Sequence, residues 1–272
     1  MFESIVFGLS GLIVGSFLNV LILRWGKHSL GGRSACMGCE KTLAWYELVP
    51  LVSWIVLRGR CHSCERRISL QYPFVEALTG LLFFLVGFAP LPVFARVVAA
   101  LITAILIAIA VYDLRTTYIP DQWVYSFCFL ALLSLFVFPS FAPSEIVNAL
   151  LAGPLVALPL FALWYISKGA WMGLGDVKFA LGIGWLLGLG GGFTALLLSF
   201  CIGAFVSVPL LFLSSPLAKR LSASFTPRDW SQNSSLAYTM KSEIAFGPFL
   251  VVGTCIVWFS TMYGFVILEH LL

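Results

Sequence analysis

The chain has 272 residues, of which 60% are hydrophobic and 10% are charged, whereas an ordinary soluble domain is about half apolar and a quarter charged. With a mean hydropathy of +1.00, its polar residues are too few to cover a water-soluble globule, so a soluble single-core protein is excluded. The formal net charge of +4 is modest, and we expect no nucleic-acid partner. The bulk of the chain is therefore expected to face a lipid bilayer.

Continuous apolar segments recur along the whole chain. A helix needs about 20 residues to cross a hydrocarbon layer of roughly 30 Å, and continuous apolar runs favour helices over the alternating strands of a membrane barrel. We therefore predict an all-α, polytopic membrane protein with about eight transmembrane helices. The sixth segment is short and rich in glycine, so a tilted or broken helix is expected there. The predicted segments cover residues 2–23, 73–89, 92–112, 122–139, 145–166, 176–190, 192–213 and 246–268.

The Lys and Arg residues orient these segments. Eight of the 16 lie between Arg24 and Arg67, and this side is expected to be cytoplasmic because loops rich in Lys and Arg stay inside. The first segment has no basic leading region and is expected to be a retained helix. An even number of spans then puts both termini outside the cytoplasm. Residues 214–245 form a second cytoplasmic segment to which we assign no chemistry.

The first cytoplasmic segment, residues 24–72, contains two C-x-x-C pairs separated by residues 40–60. Such spacing is typical of zinc ribbons and knuckles, in which each pair supplies two thiolates to one tetrahedral ion. Redox chemistry is the alternative, but paired doublets in a reducing compartment favour a structural zinc ion. We therefore predict three parts: helix 1 (1–23), a zinc-ribbon-like domain (24–72) and a membrane domain (73–272). The predicted zinc ligands are Cys36, Cys39, Cys61 and Cys64.

Four acidic residues lie at the predicted cytoplasmic ends of apolar segments, where ionisable groups are costly and often functional. Asp121 and Asp176 open segments, so either carboxylate also suits a helix N-terminus. Asp113 closes a segment, where its charge opposes the helix dipole, and Arg115 is a candidate ion-pair partner. For Glu76 we expect a structural polar contact.

Two carboxylates within a few ångströms of each other can share one proton and activate water, which is the chemistry of an aspartyl protease. Gly173 and Gly175 precede Asp176 and would let a peptide substrate approach closely. The sequence alone does not show that Asp113 meets Asp176. A proton-coupled transporter and a noncatalytic assembly factor are alternatives, although acids gathered at one face and the lack of an inverted repeat disfavour the transporter.

The order and spacing of several motifs resemble those of the type IV prepilin peptidases, a family of membrane aspartyl proteases with a glycine-x-glycine-aspartate motif. The resemblance covers most of the chain. The matching stretches are residues 15–20, the two cysteine pairs, residues 59–61, 68–69, 72–76, 113–121, 173–178 and 246–250.

The resemblance implies that Asp113 and Asp176 form a catalytic pair that removes the leader peptide from prepilins and pseudopilins at the cytoplasmic face of the bacterial inner membrane. It also implies N-methylation of the new terminus with S-adenosylmethionine as donor. No nucleotide-binding fingerprint is present in the sequence, so methyl transfer follows from the resemblance only. The supporting residues at the predicted site are Gly173, Gly175, Asp121, Lys178 and Glu76.

Overall fold

The computed structural model describes residues 1–26, 29, 31–36, 38–137, 146–214 and 245–264. These residues confirm the all-α prediction, since they contain helices and two isolated β-bridges but no strand. Most of the predicted loop 214–245 lies outside the described residues. The helices are α1 (Phe2–Arg24), α2 (Val52–Val56), α3 (Gln71–Phe88), α4 (Val93–Thr116), α5 (Asp121–Val137), α6 (Ile146–Ser167), α7 (Leu174–Ser214) and α8 (Gly247–Met262), with a 3₁₀ turn at Trp45–Leu48.

Five helices in the described part of the chain are long and apolar enough to cross a membrane, namely α1, α3, α4, α6 and α7. Helices α5 and α8 are shorter but also apolar. The chain between α1 and α3 holds α2 and the four cysteines, so one small insert interrupts an otherwise apolar bundle. The protein is therefore a membrane protein.

The sixth and seventh predicted segments join in α7, which folds back on itself at Gly188. Gly188 has φ 72° and ψ −175°, a conformation that is essentially restricted to glycine. Beyond the bend, a Cβ on Gly192 would lie 3.3 Å from Gly184 Cα, so the two halves of α7 are neighbours. The broken helix expected in this region is thus a helical hairpin.

Small residues bring the helices together. A Cβ added to Gly11 of α1 would lie 2.6 Å from Phe83 Cβ of α3. Likewise, a Cβ on Gly184 of α7 would lie 2.5 Å from the carbonyl oxygen of Ala152 in α6. In lipid there is little hydrophobic drive for helices to associate, so close backbone approach and van der Waals packing carry much of the stability.

A buried core between α4, α5 and α7 fixes the positions of their ends. Ile102, Leu106, Phe127 and Phe179 are almost fully buried, and the rings of Phe127 and Phe179 lie 4.8 Å apart between centroids. This packing brings the last turn of α4 beside the first turns of α5 and α7 at one end of the bundle.

The opposite end of the bundle holds both ends of the described chain. Glu3 forms an ion pair with Arg96 at the start of α4. Tyr263, just after α8, donates a hydrogen bond from its hydroxyl to the carbonyl of Leu85 near the end of α3. The N-terminus, Arg96 and Tyr263 therefore share one end of the bundle.

Candidate active site and four-cysteine cluster

Asp113 lies three residues before the end of α4 and is 4% exposed. One of its carboxylate oxygens, Oδ2, accepts a hydrogen bond of 3.0 Å from the backbone N–H of Gly247, the first residue of α8. The N-terminus of a helix carries partial positive charge, which offsets the unfavourable position of Asp113 near the end of its own helix. The predicted ion pair with Arg115 is not formed, because Arg115 donates to Gln71 Oε1 instead.

Asp176 lies in the first turn of α7 and is 8% exposed. Its carboxylate lies beside the backbone N–H of Gly173 and close enough to Asp113 for the two charges to repel each other. A Cβ on Gly173 would stand 3.6 Å from Asp176 Oδ2, so this glycine leaves the carboxylate open on that side.

Both aspartates line one cleft of about 980 Å³ at this end of the bundle. Ile119, in the link between α4 and α5, packs against two glycines of the cleft. A Cβ on Gly175 would lie 3.4 Å from Ile119 Cβ, and one on Gly247 would lie 3.1 Å from Ile119 Cδ1. The structure thus brings together all but one of the residues predicted for the peptidase site. The lining includes Asp113, Asp121, Gly173, Gly175, Asp176, Lys178, Trp171, Phe200 and Phe246.

Asp121 and Lys178 form an ion pair at the edge of the cleft. Lys178 Nζ lies 2.8 Å from Asp121 Oδ1 and 5.4 Å from the centroid of the Tyr125 ring. The pair joins the first turn of α5 to the first turns of α7. Since about half of the Asp121 side chain is exposed, water screens this interaction.

Glu76 is the supporting residue that lies away from the cleft. It is buried in α3, and its Oε2 accepts a hydrogen bond of 2.8 Å from the backbone N–H of Leu51, just before α2. A Cβ on Gly15 of α1 would lie 2.8 Å from Glu76 Cα. Glu76 therefore ties the insert to α3 where α1 and α3 are in close contact.

The four cysteines of the insert converge. Their sulfur atoms all lie within 4.8 Å of one another, and Cys36 Sγ is 3.7 Å from Cys64 Sγ. Four thiolates at about 2.3 Å from a tetrahedral zinc ion would be separated by about 3.8 Å. The cluster therefore has the ligand set and the spacing for one metal ion.

The two cysteine pairs adopt the same local structure. In the first turn, Glu40 N–H donates to Cys36 O (2.9 Å), and in the second, Glu65 N–H donates to Cys61 O (3.0 Å). Both glutamates have a positive φ, 56° and 55°, and an isolated antiparallel bridge joins the residues on either side of each turn. The turns are joined by a hydrogen bond of 2.9 Å from Lys41 Nζ to Ser63 Oγ.

Backbone N–H groups favour thiolate at one sulfur of the cluster. The N–H groups of Cys39 and Gly38 donate to Cys36 and lower its pKa to about 6. At Cys64, the N–H of Arg66 favours the thiolate, but desolvation and the neighbouring cysteines together raise its pKa to about 11. Four sulfurs this close hold several negative charges only when a cation lies among them.

Gly247 belongs to the candidate site, although the sequence analysis placed it only within the matching stretch 246–250 and gave it no role. It supplies the one backbone donor to Asp113 that the described residues provide, and a Cβ there would lie 2.6 Å from Asp113 Oδ2. Its sequence signal was weak, because a glycine at a helix start is common. The contact joins residues 134 positions apart.

Comparison with known proteins gives a consistent result along the chain. The model of the bacterial peptidase A24 N-terminal domain matches residues 9–89, and that of the type IV leader peptidase family matches residues 100–208. A prepilin leader peptidase/N-methyltransferase from Dickeya chrysanthemi is 32% identical over 90% of this chain and 88% of its own length. The chain belongs to the type IV leader peptidase family.

Other members of the type IV leader peptidase family with the same name are similar. The protein from Aeromonas hydrophila is 29% identical over 97% of this chain and 91% of its own length. That from Pectobacterium carotovorum subsp. carotovorum is 32% identical over 66% of this chain and 74% of its own length. No solved structure matches. The insert lies within the first matched region, residues 9–89. The aspartates of α4 and α7 lie within the second, residues 100–208.

Proposed function

We propose that this protein is a membrane aspartic endopeptidase that removes the leader peptide from type IV prepilins and pseudopilins and N-methylates the new terminus. The observation that carries the peptidase assignment is the meeting of two buried carboxylates, Asp113 and Asp176, in one open cleft. Relatives that align over most of the chain are named prepilin leader peptidase/N-methyltransferase, which supports both activities.

The proposed peptidase mechanism divides two roles between Asp113 and Asp176. Because neighbouring carboxylates do not both ionise easily, one keeps a proton while the other accepts a proton from water. The water oxygen then attacks the scissile carbonyl carbon, and the carbonyl oxygen takes the proton of the protonated aspartic acid. Breakdown of the tetrahedral intermediate transfers a proton to the leaving amide nitrogen, and no covalent enzyme intermediate forms.

The charge of the cleft supports a basic leader as substrate. The described residues lining it include three carboxylates, Asp113, Asp121 and Asp176, but one ammonium group, Lys178. A cleft with excess negative charge attracts cationic segments. We propose that the Lys and Arg residues of the leader enter from the aqueous side while the apolar segment of the substrate lies in the bilayer.

Zinc is the proposed metal of the four-cysteine cluster. Cys36, Cys39, Cys61 and Cys64 would hold it, and the sulfur spacing described above fits a closed tetrahedral site without a position for water. Such an ion would hold the two turns together, because the insert is too small to rely on an apolar core. We assign it no catalytic step.

S-adenosylmethionine is the proposed methyl donor, and it would supply an electrophilic methyl group to the new terminal amine. The names of the relatives support this assignment. The described residues contain no strand–turn–helix unit that would bind its nucleoside part. No step is therefore derived through the donor.

The proposed location is the bacterial inner membrane, with the cleft at the cytoplasmic face and both termini outside the cytoplasm. The insert and the cleft lie at the same end of the bundle, because Arg115 near the cleft contacts Gln71 at the end of the insert. Seven of the 16 Lys and Arg residues lie in this stretch between α1 and α3, and an eighth, Arg24, ends α1, which supports a cytoplasmic assignment.

The decisive experiment is cleavage of a purified prepilin by the detergent-solubilised protein and by Asp113→Asn, Asp176→Asn and Asp121→Asn variants. Each substitution removes one charge and keeps the shape of the side chain. We expect the first two to lose cleavage by at least about a thousandfold, because the remaining carboxyl group has no partner with which to divide the two roles. Asp121→Asn should lose less than about tenfold.

Zinc content and thermal unfolding of each variant serve as folding controls. Loss of cleavage in Asp121→Asn alone would keep the peptidase but contradict the assigned pair. Full cleavage by folded Asp113→Asn and Asp176→Asn would overturn the mechanism, whereas no cleavage by the folded parent protein would favour a noncatalytic assembly role.

A further inference from the structure

The insert between α1 and α3 exposes a large apolar face. Among residues 43–57 the only charged residue is Glu47, which is buried and accepts a hydrogen bond of 2.8 Å from Ala44 N–H. Its large apolar side chains nevertheless point away from the described chain: Trp45 is 80% exposed and Val56 73%. The exposed large side chains of this face are Trp45, Tyr46, Leu48, Val52, Ile55 and Val56.

An exposed apolar segment of this kind is unfavourable in contact with water. It is about 15 residues long, which is too short for a transmembrane helix and is typical of an interfacial segment. Trp and Tyr are also the residues that favour the headgroup level of a membrane. Lys41 precedes the run and Arg58 and Arg60 follow it, and all three are exposed.

The depth of the segment supports contact with lipid. Leu51 N–H donates to Glu76, which lies five residues, or about 7.5 Å at 1.5 Å per residue, beyond the start of α3 at Gln71. At the same level, Gly15 of α1 contacts Glu76, and α1 continues for nine more residues to Arg24. Measured along the bundle axis, the start of α2 therefore lies at the same depth as interior turns of the apolar helices α1 and α3.

A second exposed apolar surface lies at the start of α3, on the same side of Glu76 as the insert. Leu70 and Phe74, at the start of α3, are 69% and 64% exposed. They lie between the cysteine turns and Glu76 in the chain.

We propose that residues 43–57 form an interfacial membrane anchor, with the exposed apolar side chains in the bilayer on the cleft side and Lys41, Arg58 and Arg60 at anionic headgroups. The anchor would hold the four-cysteine cluster against the membrane surface and leave the mouth of the cleft open to water. This inference does not depend on the proposed peptidase activity.

The first test is hydroxyl-radical footprinting of the unmodified protein in nanodiscs of phosphatidylethanolamine and phosphatidylglycerol. Trp45 and Trp171 are similarly exposed, at 80% and 73%, as are Tyr46 and Tyr118, at 56% and 57%. Trp171 and Tyr118 line the aqueous cleft and serve as matched controls. If lipid covers the anchor, Trp45 and Tyr46 should oxidise about tenfold more slowly than their controls. Equal rates would overturn the proposal.

The second test identifies what covers the face. A photoreactive benzoylphenylalanine replaces Ile55 or Val56 in the full chain, and the exposed Ala170 in the lining of the aqueous cleft is the control site. Thermal unfolding shows that each variant is folded. The proposal expects lipid adducts at Ile55 and Val56 but not at Ala170. Adducts to another part of the chain, to a second copy or to a prepilin would contradict it, as would equal lipid labelling at all three positions.

Discussion

Asp113 is a buried carboxylate three residues before the end of α4, where its charge opposes the dipole of its own helix. The pattern indicated that a carboxylate near the end of α4 needs a compensating partner, and Arg115 was the nearest cation. The structure supplies that partner from the start of α8, through the backbone N–H of Gly247. Almost every residue has a backbone N–H, so composition does not indicate which residue is the donor. The two residues are also separated by most of the sequence of the membrane domain, so spacing does not predict the contact.

Gly247→Ala should impair cleavage without unfolding the protein. The new Cβ would lie 2.6 Å from Asp113 Oδ2, so the carboxylate must move away from its backbone donor and out of its present position in the cleft. A displacement of about 1 Å at a reacting group costs on the order of a hundredfold in rate. We expect a loss of that size in kcat with little change in KM, measured by prepilin cleavage.

Gly190→Ala is the matched control for this glycine. No atom lies within 4 Å of the position of its Cβ, and it should cleave like the parent protein. Normal kcat in Gly247→Ala would show that the position of Asp113 is not critical.

The Asp121–Lys178 pair should contribute little to catalysis or stability. About half of the Asp121 side chain is exposed, and ion pairs of this kind are worth roughly 0–1 kcal/mol. We expect Lys178→Met and Asp121→Asn each to lower kcat/KM by less than about tenfold, with Lys178→Arg close to the parent.

A double-mutant cycle measures this coupling directly. If the pair acts only to join α5 to α7, the kcat/KM of the double variant should be no lower than that of the less active single variant. A coupling energy well above 1 kcal/mol would instead place the pair in the reaction itself.

At the scale of elements, the sequence predicted two kinds of structure well. Continuous apolar runs indicate membrane helices because lipid leaves the backbone no other hydrogen-bond partners. The two cysteine pairs predicted a four-sulfur cluster because closing a metal site fixes the spacing within each pair. The fold-back of α7 was only partly visible: several glycines follow one another in this region, and the backbone conformation of Gly188 selects the bend among them.

Release of zinc at acid pH is expected from the chemistry of the cysteine turns. Backbone donors lower the pKa of Cys36 to about 6 from an ordinary value of 9.0. At this one sulfur the thiolate is the favoured form at neutral pH, and in the metal-free insert its contribution to stability, present above pH 9.0, is lost as the pH falls through about 6. Protons compete with zinc for the thiolates, so zinc binding also weakens as the pH falls. Bound zinc should be retained at pH 7.5 and released progressively below pH 6, measured with a colorimetric chelator after dialysis.

Two serine variants give the controls for this measurement. Cys36→Ser should lose zinc already at neutral pH, whereas Cys201→Ser, outside the cluster in α7, should keep it. Equal zinc content in both variants, or retention of zinc at acid pH in the parent, would contradict the four-cysteine site.

At the scale of the whole molecule, the hairpin in α7 decides the number of crossings. Its first half, residues 174–187, starts at the cleft, and Phe200 in its second half lies against Phe246 at the same end, with ring centroids 4.8 Å apart. In a straight helix, Asp176 and Phe200 would be about 36 Å apart at 1.5 Å per residue. Helix α7 therefore runs away from the cleft and returns to it, and α8 then crosses to the far end.

This path predicts that the C-terminus lies on the side opposite the cleft, outside the cytoplasm. In cells, alkaline phosphatase fused after Leu272 should be active, and a fluorescent protein that folds only in the cytoplasm should be dark when fused there. Fusions to a chain truncated after Ser222, in the predicted loop 214–245, should give the reverse, because that point comes after the return of α7. A bright fusion at Leu272 with a dark one at Ser222 would invert the topology and put the carboxylates on the face away from the cytoplasm. Bright fusions at both positions would mean that α8 does not cross.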